Sequence, residues 1–146
     1  MTKSDHAAEQ MGSGLNCAQA VMGEFAEELD LDLEMAWRVA CGFGGGMGGT
    51  GDRCGAVTGA VMVLGLAACG PDPYDRSSRA RIDGLVQSFI EQFEAKHGTT
   101  LCRELLGCDI RTQEGQAEAA IQGLFKTHCP QYVRDAVEIL EAMLPG

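Results

Sequence analysis

Apolar residues recur at helical spacing along most of the chain, and no segment shows the alternation of apolar and polar residues that is typical of strands. The clearest apolar stripe lies in a helix that we predict over about 77–97, before Gly98. Further helices are predicted over about 16–29, 32–40, 54–68 and 100–106, then after Thr112 and from Pro130. The pattern predicts an all-α bundle of about six to eight helices, forming a single domain over residues 1–146.

The helix predicted over 54–68 is apolar on nearly all sides, which is typical of a buried central helix. Gly55 and Gly59 lie four positions apart in it, so a neighbouring helix can approach this face closely. A glycine-rich loop precedes this helix, and its backbone could approach a bound group closely. We therefore expect a cofactor-binding loop at Gly44, Gly45, Gly46 and Gly55. A helix, not a strand, is predicted before the loop, which disfavours a dinucleotide-binding motif.

Charge and composition limit the classes of partner. The formal net charge is -10 with a pI of about 4.6, and an acidic surface repels nucleic acid and anionic membranes. The longest apolar stretch, 56–69, is shorter than the roughly 18 residues that a membrane span needs. The first ten residues lack the apolar segment of a signal peptide. We expect a soluble cytoplasmic protein that neither enters a membrane nor binds nucleic acid.

Seven cysteines in 146 residues are many for a cytoplasmic protein, where metal binding or redox chemistry explains cysteines better than structural disulfides do. Four of them fall at the predicted beginnings of helices, where unpaired N–H groups and the positive end of the helix dipole stabilise a thiolate. We expect these four to have a lowered pKa and to converge near the glycine-rich loop: Cys17, Cys54, Cys102 and Cys129.

The other three cysteines have different surroundings. Cys41 and Cys69 follow the ends of their predicted helices, where the dipole disfavours a thiolate, so we interpret them as structural. Cys108 could meet Cys102 across a short helix, and its role stays open. His128 precedes Cys129 and could act as a base or as an alternative ligand, although a surface position is the simpler interpretation.

Several motifs together resemble one protein family. They are NCAQAV at 16–21, FGGGMG at 43–48, CGAVTG at 54–59, LCRELLG at 101–107 and CP at 129–130. In this order they resemble the C_GCAxxG_C_C family of redox-active proteins, over nearly the whole chain. The four cysteines that define that family correspond here to Cys17, Cys54, Cys102 and Cys129. The family is similar to the non-haem part of split-Soret cytochromes, and this resemblance implies an iron–sulfur cluster.

Three functions remain open at the level of sequence. The four cysteines could be ligands of an iron–sulfur cluster, or of zinc, in an electron-transfer protein. They could instead form dithiol–disulfide pairs that exchange electrons or sense oxidants without metal. A non-redox helical adaptor or structural oligomer is the third possibility. The absence of a Cys-x-x-Cys-His motif excludes covalent c-type haem. We further expect a homodimer and a redox partner protein, with no assignable enzymatic turnover.

Overall fold

The computed structural model describes residues 1–145, and it shows an all-α single domain, as the sequence predicts. Two 3-10 turns, Glu27–Leu29 and Cys41–Phe43, continue the second and third helices. The α-helices are α1 (Lys3–Gly12), α2 (Cys17–Ala26), α3 (Leu33–Ala40), α4 (Gly55–Ala68), α5 (Arg76–His97), α6 (Cys102–Leu106), α7 (Gln113–Ile121), α8 (Leu124–Thr127) and α9 (Cys129–Met143). Among these described residues, no helix is long and apolar enough to cross a membrane.

Helix α4 lies at the centre of the bundle, against α2, α5 and α9. Its two glycines face α2 at close range, as their spacing predicts. A Cβ atom on Gly55 would lie 3.0 Å from the Ala18 nitrogen, and one on Gly59 would lie 3.0 Å from the Ala18 oxygen. Any larger residue at these two positions would push α2 and α4 apart. Because Cys17 begins α2, this contact also fixes one cysteine relative to α4.

The N-terminal helix α1 is not predicted from the sequence. Thr2 caps it by accepting a hydrogen bond from the Asp5 nitrogen, at 3.1 Å. Its buried face consists of Ser4, Ala7 and Ala8, which pack mainly against α9. Small and polar residues give almost no hydrophobic periodicity, so the pattern that identifies the other helices is missing here.

Helix boundaries differ from the prediction near the C-terminal half. The helix expected from Thr112 through Leu124 is two helices, α7 and α8, because Gly123 takes a left-handed conformation with φ +69° between them. Helix α6 is capped by Leu101 and not by Thr100, and α9 begins at Cys129, one residue before the predicted start. These shifts are small, and each leaves the cysteine concerned in the first turn of its helix.

A second apolar cluster lies beside the main core. The main core is built around α4 and includes Leu64, Phe89, Phe93 and Leu140. The second cluster consists of side chains from α6 to the beginning of α9: Cys102, Leu106, Cys108, Ile110, Ala119, Leu124 and Cys129. Three buried cysteines therefore belong to the smaller cluster, where it meets the main core.

Candidate redox site

All four of the cysteines that are predicted at helix beginnings line one cavity. Its volume is about 170 Å³, and Cys17, Cys54, Cys102 and Cys129 line it together. Cys54 is 4% exposed, and Cys102 and Cys129 are 8% exposed, so solvent barely reaches these three sulfur atoms. The four residues are far apart in sequence, and only the packing of α2, α4, α6 and α9 brings them together.

Each of these cysteines lies at the beginning of a helix, as predicted. Cys17 is the first residue of α2, behind the capping box that Asn16 and Gln19 form. Cys54 is the N-cap residue of α4. Cys102 and Cys129 are the first residues of α6 and α9. Residues at four helix N-termini therefore surround one small space.

Backbone hydrogen bonds hold two of the cysteines side by side. The segments 52–54 and 100–102 run antiparallel, with an isolated bridge between Arg53 and Leu101. The Cys102 nitrogen donates to the Asp52 oxygen at 2.7 Å, and the Cys54 nitrogen donates to the Thr100 oxygen at 2.8 Å. This short pairing fixes Cys54 and Cys102 independently of any bound group.

The glycine-rich loop forms one wall of the cavity. Gly45, Gly46 and Gly55 line it as the sequence suggests, whereas Gly44 lies outside the lining. Gly46 has φ +68°, and a Cβ atom there would lie 2.7 Å from the Cys102 Cβ. A Cβ atom on Gly44 would instead lie 2.7 Å from the Asn16 Nδ2, so Gly44 makes room for the cap of α2.

The expected lowering of all four thiol pKa values is wrong for three of them. Burial raises the pKa of Cys54 to about 11, although the Ala56 and Val57 N–H groups act to lower it. Burial also raises the pKa of Cys102 to about 12, and the neighbouring cysteines add to this rise. Removal of the thiols from water therefore outweighs the helix dipole, and Cys54 and Cys102 are neutral at neutral pH.

Cys17 and Cys129 form an unequal pair. The neighbouring Cys17 thiol lowers the pKa of the Cys129 thiol against the opposing effect of burial. The same interaction, together with burial, raises the pKa of Cys17 well above its usual value. Of the four thiols, Cys129 alone keeps the lowered pKa that the sequence predicts, and it does so through a neighbouring thiol.

The comparison with protein families agrees with this geometry. Residues 15–143 match the family model described as "Putative redox-active protein (C_GCAxxG_C_C)". The chain belongs to the C_GCAxxG_C_C family. No curated protein and no solved structure matches it. The family match begins after α1, so this helix lies outside the part of the chain that the C_GCAxxG_C_C model covers.

The cavity of this C_GCAxxG_C_C protein also includes residues that the sequence analysis does not identify. Tyr132 follows Cys129 by one helical turn on α9, and that spacing could have indicated it. Its hydroxyl donates to the Leu105 oxygen at 3.0 Å, and its ring packs edge-on against His97. Met11 reaches the cavity from α1, and no sequence signal could have placed it there.

Several candidates from the sequence lie away from the cavity. Cys41 and Cys69 are exposed, and Cys108 is buried in the smaller apolar cluster without lining the cavity. His128 is exposed and its Nδ1 lies 2.8 Å from the Thr127 hydroxyl, which agrees with a surface role. His97 also lies outside the cavity lining, and its Nε2 is 2.8 Å from the Asp135 Oδ2.

The structure does not show the metal site that the sequence predicts at the four cysteines. Within residues 1–145, no three Cys, His, Asp or Glu side chains are grouped so that they could hold a metal ion. What it shows is four thiols around a small apolar cavity. Thiols are soft donors of the kind that both iron–sulfur clusters and zinc take as ligands.

Proposed function

We propose that this cavity is a redox centre in which Cys17, Cys54, Cys102 and Cys129 hold a small iron–sulfur cluster for electron transfer. One observation carries the proposal: four cysteines from four separate helix beginnings line a single buried cavity of about 170 Å³. Membership of a redox-active family supports it. A cluster bound there would accept and release single electrons.

The protein's own residues would prepare the site in two ways, and the pKa values of its thiols would set the pH range in which it assembles. The first-turn N–H groups of α2, α4, α6 and α9 would stabilise negative charge on the sulfur atoms. Water would be kept away from the sulfur atoms by the side chains of Leu105, Leu106 and Tyr132. The raised pKa values of Cys54 and Cys102 mean that ligation must release their protons, so cluster assembly should be favoured by higher pH.

The test is anaerobic purification followed by an absorbance spectrum and assays of iron, zinc and acid-labile sulfide. We expect iron and sulfide in the wild type and their loss in Cys54→Ser. Cys69→Ser is the matched control, because Cys69 is exposed and distant from the cavity lining. A colourless, metal-free wild-type protein would contradict the proposal, as would equal cluster content in both variants.

A specific observation favours a second candidate, a dithiol–disulfide couple between Cys17 and Cys129. These two thiols are neighbours that shift each other's pKa in opposite directions, and Cys129, whose pKa is lowered, is the better nucleophile of the pair. Attack of Cys129 on 2-hydroxyethyl disulfide, a small uncharged reagent, would release one 2-mercaptoethanol thiolate. Attack of Cys17 on the resulting mixed disulfide would form the Cys17–Cys129 bond and release a second 2-mercaptoethanol, so two electrons pass from the protein to the reagent.

Peptide mapping of the metal-free protein after treatment with 2-hydroxyethyl disulfide would test this candidate. We expect a Cys17–Cys129 cross-link, and in Cys17→Ser a mixed disulfide that stops at Cys129. Cross-links that involve Cys54 or Cys102 instead would contradict the pairing. A cytoplasmic location, which stays a prediction, would keep this pair reduced for most of the time.

The predicted partners stay predictions as well. A homodimer would appear as twice the monomer mass in sedimentation equilibrium of the reduced protein. A redox partner protein would be expected to be basic where it docks, because this chain carries a net charge of -10.

A further inference from the structure

Two side chains form part of the boundary between the cysteine cavity and the outside. Met11 from α1 and Phe125 from α8 line the cavity, and both also line a larger groove of about 950 Å³ on the surface. That groove lies between α1 and the α8–α9 segment, and Ala8 and Pro130 contribute to its walls. A molecule in the groove must therefore pass Met11 and Phe125 to reach a sulfur atom. Phe125, together with Gly45, also lines a second surface groove of about 650 Å³.

The cavity and the larger groove differ in charge. The groove is lined by Asp5, Glu9, Lys126 and Arg134, whereas the described residues that line the cavity carry no carboxylate or basic side chain. Moving an ion from the groove into the cavity would remove it from water without providing a counter-charge. The boundary thus separates a charged exterior from an interior that suits small uncharged molecules.

Phe125 is placed so that its side chain can move. It is 41% exposed, and it lies on the four-residue helix α8, in which Leu124 is the buried residue. Gly123, with φ +69°, separates α8 from α7. Met11 is only partly buried, and its unbranched side chain has several rotatable bonds. Rotation of either side chain would widen the opening without unfolding a helix.

We infer that Met11 and Phe125 form a gate that admits small uncharged molecules to the cysteine cavity and holds back bulky or charged ones. The gate deepens the proposed function, since it matters to the cell only if the cavity is a redox centre. Reagents that take the place of substrate can test the gate itself in the reduced, metal-free protein, whichever group the cysteines hold in the cell.

The experiment measures the alkylation rate of each cysteine by peptide mass spectrometry. Iodoacetamide is the small uncharged reagent, iodoacetate has the same size with a negative charge, and N-(1-pyrenyl)maleimide is bulky and uncharged. The ratio of bulky to small rates at one cysteine cancels its thiolate fraction. We expect this ratio, and likewise the ratio of the iodoacetate rate to the iodoacetamide rate, to be far lower at Cys129 than at the exposed Cys41 and Cys69.

Substitutions at the gate should change the ratio of bulky to small rates in both directions. Phe125→Ala should raise it about tenfold at Cys129, because the bulky reagent then no longer depends on rare opening of the gate. Met11→Ala should act in the same direction, and Phe125→Trp should lower the ratio. Ile121→Ala is the matched control, because Ile121 is 83% exposed on α7 and lies outside the cavity lining.

Two outcomes would overturn the gate. One is an unchanged ratio in Phe125→Ala and Met11→Ala, with circular dichroism showing that both variants are folded. The other is an equal rise in Ile121→Ala, which would indicate general loosening of the α7–α8 region. A wild-type protein that binds no iron, but whose alkylation ratios respond to the gate substitutions as expected, would contradict the proposed cluster and leave the gate standing.

Discussion

At the scale of single residues, the structure shows that burial and not helix position dominates the chemistry of the cysteines. Sequence reasoning locates the thiols at helix beginnings correctly, since caps and first turns have recognisable residues such as Asn16. It cannot show how much water each sulfur atom loses on folding. Cys54 therefore has a pKa of about 11 where the helix dipole alone would lower it.

The raised thiol pKa values predict a specific dependence of stability on pH. The folded pKa of Cys54 is about 11, against 9.0 for an unperturbed thiol, so the folded state retains a proton that the unfolded chain loses first. This contribution is fully present below pH 9.0 and is lost as pH rises toward 11. Cys54 alone should lower the unfolding free energy of the reduced, metal-free protein by roughly 2 kcal/mol across that range, and the raised pKa of Cys102 should add to the fall.

Urea unfolding at a series of pH values measures this effect. Cys54→Ala should flatten the curve above pH 9.0, because it removes one of the groups responsible. Cys69→Ala should leave the slope as in the wild type, since Cys69 is exposed. Identical slopes in all three proteins would show that the Cys54 thiol ionises as easily in the folded protein as in the unfolded chain.

Two glycines of the loop provide a matched pair for the cavity wall. Gly46 and Gly48 both have positive φ, at +68° and +63°. A Cβ atom on Gly46 would lie 2.6 Å from the Asp52 nitrogen, whereas one on Gly48 meets nothing within 4 Å. Gly46→Ala should therefore cost about 2–4 kcal/mol of stability, and Gly48→Ala only about 1 kcal/mol of backbone strain.

Chemical denaturation of both variants, followed by iron analysis, tests this expectation. Gly46→Ala should also reduce cluster content, because its neighbour Cys102 must move. Equal losses of stability in the two variants would mean that left-handed strain explains both and that the wall tolerates a methyl group.

At the scale of elements, the sequence predicts the helices with strong apolar patterns and misses the one without. The stripe of α5, ending at Gly98, is predicted to within one residue of its start. Helix α1 is missed because Ala7 and Ala8 bury little apolar surface. The four cysteines of the cavity could be identified because they fall at recognisable helix beginnings. Met11 could not, because its position depends on how α1 packs.

The close contact of α2 and α4 predicts opposite effects for two glycines on one helix. A Cβ atom on Gly59 would lie 3.0 Å from the Ala18 oxygen, while one on Gly65 meets nothing within 4 Å. Gly59→Ala should destabilise the protein by about 1–3 kcal/mol through overpacking. Gly65→Ala should stabilise it by up to about 1 kcal/mol, because alanine is the better helix former.

Thermal unfolding of these two variants in parallel would separate packing from propensity. A melting temperature that falls for Gly59→Ala and rises for Gly65→Ala is the expected result. If both rise, α2 can move away from α4 at little cost, and the placement of Cys17 against α4 is less rigid than the contact suggests.

At the scale of the whole molecule, the site exists only when distant parts of the chain have folded together. Cys17 lies near the beginning of the family-matched region and Cys129 near its end. Sequence motifs could identify both, but their contact depends on the packing of α9 against α2. Bringing such distant segments together costs chain entropy.

A link between Cys17 and Cys129 would couple the chemistry of the cavity to the stability of the chain. A covalent or cluster link between them would close a loop of roughly 110 residues, and a link of that span lowers the conformational entropy of the unfolded chain by an amount worth several kcal/mol. Proteases digest the fraction of molecules that is open at any moment. Loss of the link would raise that fraction, so we expect reduced or cluster-free molecules to be digested faster than linked ones.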